Sequence, residues 1–305
     1  FLIKVVMLGA AALLALPLAI GTEQNGATNW INIGGTSVQP SELVKLALLL
    51  ILSWYMSRRR FLPWFAFAVF SLLVLMLQQD LGTALIYYAT TLFLFYASTG
   101  NLPLTGLGLV GAGGAAVLGY AMFAHVKKRV AIWRNPWIYY ETSGYQIVQM
   151  LMAIASGGLF GVGLGLGAPR VIPVYFTDCI FAVICEQFGV IFGALVLAMY
   201  VILILRGVSI ASAARSSFHA LLAMGATVML GIQTFIIIGG VLKLIPLTGV
   251  TMPFVSYGGT SLVSCMGLIG LIQGVASVNQ DDLAYDYEIS HTLQEEAMMP
   301  EADRE

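Results

Sequence analysis

Residues 218–241 read FHALLAMGATVMLGIQTFIIIGGV, a stretch without a single Asp, Glu, Lys or Arg. A helix that crosses a bilayer needs about 20 mainly apolar residues, because it rises about 1.5 Å per residue across about 30 Å of hydrocarbon. The composition agrees, since 59% of the chain is hydrophobic and 10% is charged, against about 25% charged residues in soluble domains. The alternating segments of a transmembrane barrel are not seen in the sequence. The sequence therefore predicts an all-α polytopic integral membrane protein.

Runs of this kind predict about eight transmembrane helices, which cover residues 1–20, 42–56, 62–77, 82–98, 104–123, 178–205, 218–241 and 261–278. The sequence Pro40-Ser41 predicts a helix start just before Glu42. Residues 206–217 read as a short polar connection, and the Pro- and Gly-rich segment 244–260 precedes the last span. We expect a transmembrane domain over residues 1–279 and an acidic cytoplasmic tail over residues 280–305. The polar composition of that tail predicts disorder.

The connections between spans differ greatly in length. Residues 21–38 read as a polar loop, whereas residues 123–177 are a long loop with an amphipathic stretch at 146–154 and a glycine-dense stretch at 156–167. Such long loops are usually functional or disordered. Five aromatic residues lie between positions 133 and 145, and they favour order at a membrane interface.

Positive charge in the short loops predicts the orientation. The triple arginine Arg58-Arg59-Arg60 is expected on the cytoplasmic side, together with the connection after residue 205 and the tail. Residues 21–38, the turn at Asp80, the 123–177 loop and the segment at Pro246 then lie outside. The basic cluster 127–134 would be external, but charge in long loops counts for little in this rule.

Acidic residues are scarce before the tail. Nine of the 15 acids follow Gln280, and the six before it are Glu23, Glu42, Asp80, Glu141, Asp178 and Glu186. Ionisable groups at or in a bilayer are costly and usually face a water-filled cavity or a partner. Glu42 and Lys45 are spaced to pair on one helical face. Asp178 and Glu186 are expected on one face of a helix that begins at Asp178, about 12 Å apart along its axis.

Structural interpretations compete with the functional ones for each of these residues. Glu42 and Lys45 could be only an ion pair, Glu186 a helix-packing group, and Asp178 a helix cap, since carboxylates suit helix N-termini. A cap would not explain why the preceding loop is so elaborate. The segment Pro246–Gly259 is either a cavity-lining broken helix or a plain re-entrant turn.

The cysteines Cys179, Cys185 and Cys265 lie in apolar surroundings without CxxC or Cys/His spacing. Neither a disulfide framework nor a zinc site is predicted. The sequence starts at Phe1 inside an apolar run, so we expect an N-terminal truncation that removed earlier helices.

Four ordered motifs resemble the SEDS family of cell-wall polymerases, the FtsW/RodA/SpoVE group. They are NWI at 29–31 with QPSELVK at 39–45, QDLGT at 79–83, TDCIFAV at 177–183 with Glu186, and PLTG at 246–249 with PFVSYGG at 253–259. The resemblance extends to about Ser277. Two positions depart from the family pattern: Asn29 stands where many members have Arg, and Gln79 where Pro commonly precedes the aspartate. The first departure weakens the expectation of a basic residue that contacts phosphate at this position. The second is expected to change only the stiffness of the turn.

The resemblance implies a peptidoglycan glycosyltransferase that polymerises lipid II on the outer face of the bacterial cytoplasmic membrane, with a class B penicillin-binding protein as partner. Members have ten membrane helices, so about two are expected to be missing. The essential aspartate of the family maps onto Asp178, and cavity-lining residues map onto Glu42, Lys45 and Asp80. Glu186 is carried as a further substrate-binding candidate.

A sugar hydroxyl is a poor nucleophile, so the reaction needs a positioned general base, and Asp178 is the candidate. The leaving pyrophosphate needs positive charge, for which the candidates are a divalent cation and Lys45, Lys127, Lys128, Arg129 and Arg134. For the cluster at 127–134, contact with lipid headgroups is an equal alternative.

Two other functions remain open on the sequence. A lipid II flippase would also use intramembrane acids and interrupted helices, but the chain shows no internal repeat and its acids gather on one side. A non-catalytic scaffold of the cell-wall machinery would tolerate substitution of those acids.

Overall fold

The computed structural model describes residues 1–24, 27–34 and 36–298 of the chain. Its helices are α1 Leu2–Ala15, α2 Pro17–Ile20, α3 Pro40–Ser57, α4 Phe61–Leu77, α5 Leu81–Thr99, α6 Leu102–Met122, α7 Ala124–Arg134, α8 Tyr145–Gly157, α9 Ile180–Ala213, α10 Ser217–Val241 and α11 Gly259–Met298. Its strands are β1 Thr22–Gln24, β2 Ala27–Ile33 and β3 Thr36–Val38, which form an antiparallel sheet in that order.

Seven helical units in the described part of the chain are long and apolar enough to cross a membrane: α1 with α2, α3, α5, α6, α9, α10 and α11 up to Asp286. Helix α4 is apolar as well but has only 17 residues. The predicted all-α polytopic fold is therefore confirmed, with α4 as the eighth apolar helix.

Helices α10 and α3 form the centre of the bundle. Most of their residues are buried, and α10 packs against α3, α5, α9 and α11. Helix α6 is at the other extreme, because Thr105 is its only buried residue. Apolar side chains on such a helix face lipid rather than a protein core. Functional polar groups are thus expected around α3 and α10, where protein surrounds them.

Helix α9 is interrupted at Gly189, where φ is 84°. The glycine-dense stretch after α8 lies across this break and pairs with its backbone. Val162 N donates to the Glu186 carbonyl at 2.9 Å and Val190 N donates to the Gly158 carbonyl at 2.9 Å. Backbone groups at membrane depth must find partners within the protein. The predicted glycine-rich loop is therefore part of the bundle, where it completes a broken helix.

Several predicted boundaries were wrong. Strands β1, β2 and β3 form a small sheet where a plain loop was predicted, since Thr28, Trp30, Ile31 and Ile33 favour the extended conformation of β2. Helix α9 begins at Ile180 rather than Asp178, and it continues to Ala213, through most of the predicted polar connection. The long loop 123–177 contains α7 and α8. The predicted span at 1–20 is confirmed as one unit, Leu2–Ile20, with a helix boundary at Pro17.

The predicted disorder of the tail differs from the structure over residues 280–298, because α11 continues as a helix to Met298. Arg215, which follows α9, pairs with Asp286 on this extension, and Asn279 donates to the Ile210 carbonyl at 2.9 Å. Polar contacts with the end of α9 thus support the first turns beyond the span. The rest of the prediction falls on residues 299–305, which lie outside the described residues.

Substituting Gly189 by Ala should strongly destabilise the protein. A Cβ at this position would lie 2.2 Å from the Leu159 carbonyl oxygen, and the positive φ adds strain. We expect a loss of about 2 kcal/mol or more in the free energy of unfolding, measured by thermal or denaturant unfolding in detergent micelles. Gly270→Ala is the matched control, because it lies within α11 with nothing near its Cβ position. Equal stability of the two variants would contradict the requirement for glycine at the break in α9.

Candidate active site

Asp80 caps helix α5 and gathers donors from three parts of the chain. One carboxylate oxygen accepts from the Thr83 backbone N–H at 3.0 Å. The other accepts from Asn29 Nδ2 of β2 at 2.7 Å and from Gln39 Nε2, just before α3, at 3.0 Å. The residue is 8% exposed. The small sheet and the start of α3 are thereby tied to the turn between α4 and α5.

The residue before this aspartate has a backbone conformation that proline cannot adopt. Gln79 has φ of 61°, whereas the proline ring fixes φ near −65°. The expectation that Gln79 changes only the stiffness of the turn is therefore wrong for this chain, since proline could not adopt the backbone conformation found here. Asn29, at the other departure from the family pattern, is buried and donates to Asp80. An uncharged amide thus serves Asp80 at that position.

Glu42 and Lys45 form a buried ion pair on α3. Lys45 Nζ lies 2.8 Å from both carboxylate oxygens of Glu42 and donates to Gln233 Oε1 of α10 at 2.9 Å. The lysine is 0% exposed and the glutamate 5%. Gln233 Nε2 in turn donates to the Thr251 carbonyl at 2.9 Å. The pair is therefore part of a polar network that links α3, α10 and the segment before α11.

Asp178 lies two residues before α9 and is not its cap, because Cys179 occupies the cap position and makes no side-chain capping bond. Thr177 Oγ1 donates to its carboxylate at 3.0 Å, and Gln146 Nε2 of α8 lies 3.4 Å from the other oxygen. Burial raises the pKa of Asp178, and hydrogen bonds from Thr177 and its neighbours oppose that rise. Among the described side chains it has no ion-pair partner.

Arg129 on α7 is a half-buried cation within electrostatic range of both aspartates. Its Nη1 lies 3.3 Å from the Thr248 carbonyl and 3.4 Å from the Leu247 carbonyl. Burial lowers the pKa of this guanidinium, and the negative charges of Asp80 and Asp178 act in the opposite direction. One half-buried arginine thus lies in the field of both carboxylates. The 123–177 loop, the Asp80 turn and the Pro246 segment meet here, on a common side as the orientation predicts.

The other candidates have different surroundings. Lys127, Lys128 and Arg134 are exposed on α7. Glu186 is buried, and its Oε1 accepts from the Ala168 N–H at 3.1 Å while Gly167 packs against its carboxylate. Its described contacts are with the glycine-dense stretch, as the helix-packing interpretation expects, and it is not seen to join Asp178 through a shared partner.

Several polar side chains of the site were not singled out by the sequence, namely Gln39, Gln146, Thr177, Gln233 and Thr251. Gln146 and Gln233 carried a signal, because each is a long polar side chain on a helix without charged residues. Among the described residues, no group of three or more His, Cys, Asp or Glu side chains is placed to hold a metal ion. Arg129 supplies positive charge near both Asp80 and Asp178.

These features define a class: a polytopic helical membrane protein with an ionisable site formed where helices begin at one side of the bundle. A family model described as "Cell cycle protein", for FtsW, RodA and SpoVE, matches residues 1–281. The chain belongs to the FtsW/RodA/SpoVE family.

Similar proteins agree with this assignment. The chain is 39% identical over 283 residues to "Peptidoglycan glycosyltransferase RodA" of Mycobacterium leprae, covering 86% of this chain and 61% of that protein. It is 36% identical to "Stage V sporulation protein E" of Bacillus subtilis, covering 90% and 78%. A chain from a peptidoglycan synthase complex, described as coordinating polymerization and crosslinking, superposes with a TM-score of 0.77 at 28% identity over 92% of this chain and 81% of that chain. The chain thus spans about three fifths of the mycobacterial RodA.

Removing the charge of Lys45 alone should destabilise the protein. Lys45→Met leaves a buried, unpaired Glu42, for which we expect a loss of about 3–5 kcal/mol in the free energy of unfolding. The double variant Glu42→Gln/Lys45→Met should recover most of that loss, because no uncompensated charge remains. The free energies of unfolding of the single and double variants, measured in detergent, form a double-mutant cycle. The exposed Lys128→Met is the control. Additive effects of the two substitutions would contradict the pairing.

Proposed function

We propose that this chain is a peptidoglycan glycosyltransferase that polymerises lipid II into glycan strands, with Asp178 as its general base. The observation that carries the proposal is the state of Asp178: a half-buried carboxylate with a raised pKa and no described ion-pair partner. Perturbed acids of this kind concentrate at functional sites. The names of the similar proteins, peptidoglycan glycosyltransferases among them, support the same reaction.

The proposed step is one displacement at an anomeric carbon. The hydroxyl of one sugar attacks that carbon, its proton passes to the Asp178 carboxylate, and the bond to the polyprenyl pyrophosphate breaks with its electron pair on the phosphate oxygen. A general base of this kind contributes about 10²–10⁴-fold to the rate. A raised pKa makes Asp178 a better proton acceptor than an ordinary aspartate. Thr177 and Gln146 orient the carboxylate towards the acceptor sugar.

Arg129 is the proposed partner of the departing pyrophosphate. Its Nη1 is held by the Leu247 and Thr248 carbonyls, which leaves the rest of the guanidinium fork to bind phosphate oxygens. Arginine suits this role because its planar donors match phosphate geometry. The same helix carries three exposed cations, Lys127, Lys128 and Arg134. They would contact phosphate groups of the substrate or of lipid headgroups. A divalent cation remains a candidate for additional charge on the pyrophosphate.

The remaining acids receive different roles. Asp80 is proposed to contribute to substrate binding together with Arg129, since its charge acts on that guanidinium. Lys45 already contacts Glu42 and Gln233, so this pair is proposed to act on the substrate site through the network rather than by direct contact. Glu186 is proposed to hold the glycine-dense stretch that leads towards Asp178.

The cellular setting follows from the same proposal. Seven candidate membrane spans in the described residues and membership of the family make the chain a multi-pass bacterial membrane protein. We propose that it lies in the cytoplasmic membrane with the site on the outer face. Polymerised glycan must be crosslinked, so the proposed partner is a class B penicillin-binding protein. The similar structure that coordinates polymerization and crosslinking supports such a pairing. The process served is division, elongation or sporulation.

Asp178→Asn tests the general base. We expect polymerisation of lipid II in proteoliposomes to fall by about 10²-fold or more, while stability is kept or increased, because a neutral amide removes the cost of a buried, unpaired charge. Asp281→Asn, an exposed acid on α11, is the control and should keep full activity. Full polymerisation by Asp178→Asn would exclude the role, and lipid II translocation without glycan product would favour a flippase.

The pH dependence gives an independent check. Because burial raises the pKa of Asp178, the carboxylate binds its proton at a higher pH than an ordinary aspartate, whose pKa is about 3.9. The base must be ionised, so kcat should fall as the pH is lowered through that raised pKa. The acid limb of the kcat profile should therefore lie above about pH 4. A kcat that stays constant as the pH is lowered to about 4 would contradict the assignment.

A further inference from the structure

The irregular segment between α10 and α11, residues 242–258, forms hydrogen bonds with the backbone just before Asp178 and with the side chain of Arg129. We propose that Ser256 in this segment is a positioning residue for Asp178, an inference that rests on the proposed glycosyltransferase function. Ser256 lies in the motif PFVSYGG at 253–259, to which the reaction as described above assigns no part. Its hydroxyl fixes the backbone immediately before the general base.

The contact with the aspartate is made through the preceding backbone. Ser256 Oγ donates to the carbonyl of Thr177. The next N–H, that of Tyr257, donates to the Phe176 carbonyl at 2.8 Å, and the two aromatic rings pack edge to face with centroids 5.6 Å apart. Two consecutive carbonyls before Asp178 are thus held from the same segment. The position of the Asp178 carboxylate depends on this pairing, since no helix fixes residues 173–179.

Ser256 is itself held firmly. Its Oγ accepts from the Met252 N–H at 2.8 Å, and Met252 is almost completely buried. The neighbouring Pro253 carbonyl accepts from Tyr200 Oη of α9. The Thr251 carbonyl accepts from Gln233, which contacts Lys45. The segment is therefore fixed by the buried polar network. Ser256 links this fixed segment to the residue before Asp178 through its hydrogen bond to the Thr177 carbonyl.

The other end of the segment serves the arginine. The Leu247 and Thr248 carbonyls accept from Arg129, so one piece of chain holds both the proposed base and the proposed phosphate ligand. A regular helix could not do this, because its carbonyls would be consumed by its own hydrogen bonds. The irregular backbone thereby sets the spacing of the two groups on either side of the reacting carbon.

Ser256→Ala removes the hydroxyl, Ser256→Thr retains it, and Ser264→Ala is the matched control, since Ser264 Oγ is buried and has no described hydrogen-bond partner. Polymerisation of lipid II in proteoliposomes gives kcat and KM. Small displacements of reacting groups cost up to about 10²-fold, so we expect kcat of Ser256→Ala to fall about ten- to hundredfold, with KM changed less than about twofold. Ser256→Thr should recover most of the rate.

Hydrogen–deuterium exchange gives a readout that does not depend on turnover. Amides in peptides covering residues 174–180 should exchange about fivefold faster in Ser256→Ala, the factor that one net hydrogen bond contributes, and at the parental rate in Ser264→Ala. Parental exchange in Ser256→Ala would overturn the inference. So would parental kcat, or equal losses in Ser256→Ala and Ser256→Thr.

The two proposals fail in different ways. If the parent protein polymerises lipid II and Ser256→Ala does so equally well, the positioning role is wrong and the glycosyltransferase function stands. If the parent protein forms no glycan under conditions that support a family member, the function fails and the positioning role fails with it, whatever the exchange data show about the Ser256 contact.

Discussion

The buried ion pair between Glu42 and Lys45 is the interaction on which the polar interior depends. Taking both charges out of water costs several kcal/mol per ion, and within a bilayer only protein groups can compensate. Here the compensation is complete for the lysine, which contacts both carboxylate oxygens and Gln233. Because Gln233 also binds the Thr251 carbonyl, the pair fixes α3, α10 and the irregular segment in one arrangement.

Whether the sequence could predict a feature depends on how far apart along the chain the interacting residues lie. Hydrophobic run length is a local property imposed by the bilayer, so the spans at α3, α5 and α10 were predicted to within a few residues. The partner of Lys45 is Gln233, which is 188 positions away along the chain, and no local pattern reveals such a pairing. Glu42 and Lys45 were recognised by their spacing, but the third member of the cluster required the fold.

The site shows the same division. Asp178 and Arg129 were identified from motif and charge, whereas their relation to each other was not. The expected helix start at Asp178 failed because carboxylate preference for a helix N-terminus is weak compared with the hydrogen bonds that hold residues 176 and 177 to Tyr257 and Ser256. An aspartate outside the helix, with a pKa raised by burial, lowers stability at neutral pH and gains basicity. The proposed role of Asp178 as general base would require such an exchange of stability for basicity.

Helix α6 illustrates the opposite situation, since Thr105 is its only buried residue. Most of its other residues are exposed on the surface of the bundle, where a helix of this length and hydropathy is expected to face lipid. At these positions lipid tails adapt to whatever apolar shape is present, so one apolar residue serves about as well as another. Natural variation in α6 is therefore constrained by overall length and hydropathy alone, whereas α10, with protein on nearly all sides, must preserve the shape of individual side chains. Sequence drift within the family should accordingly be fastest where the protein meets its solvent, the lipid.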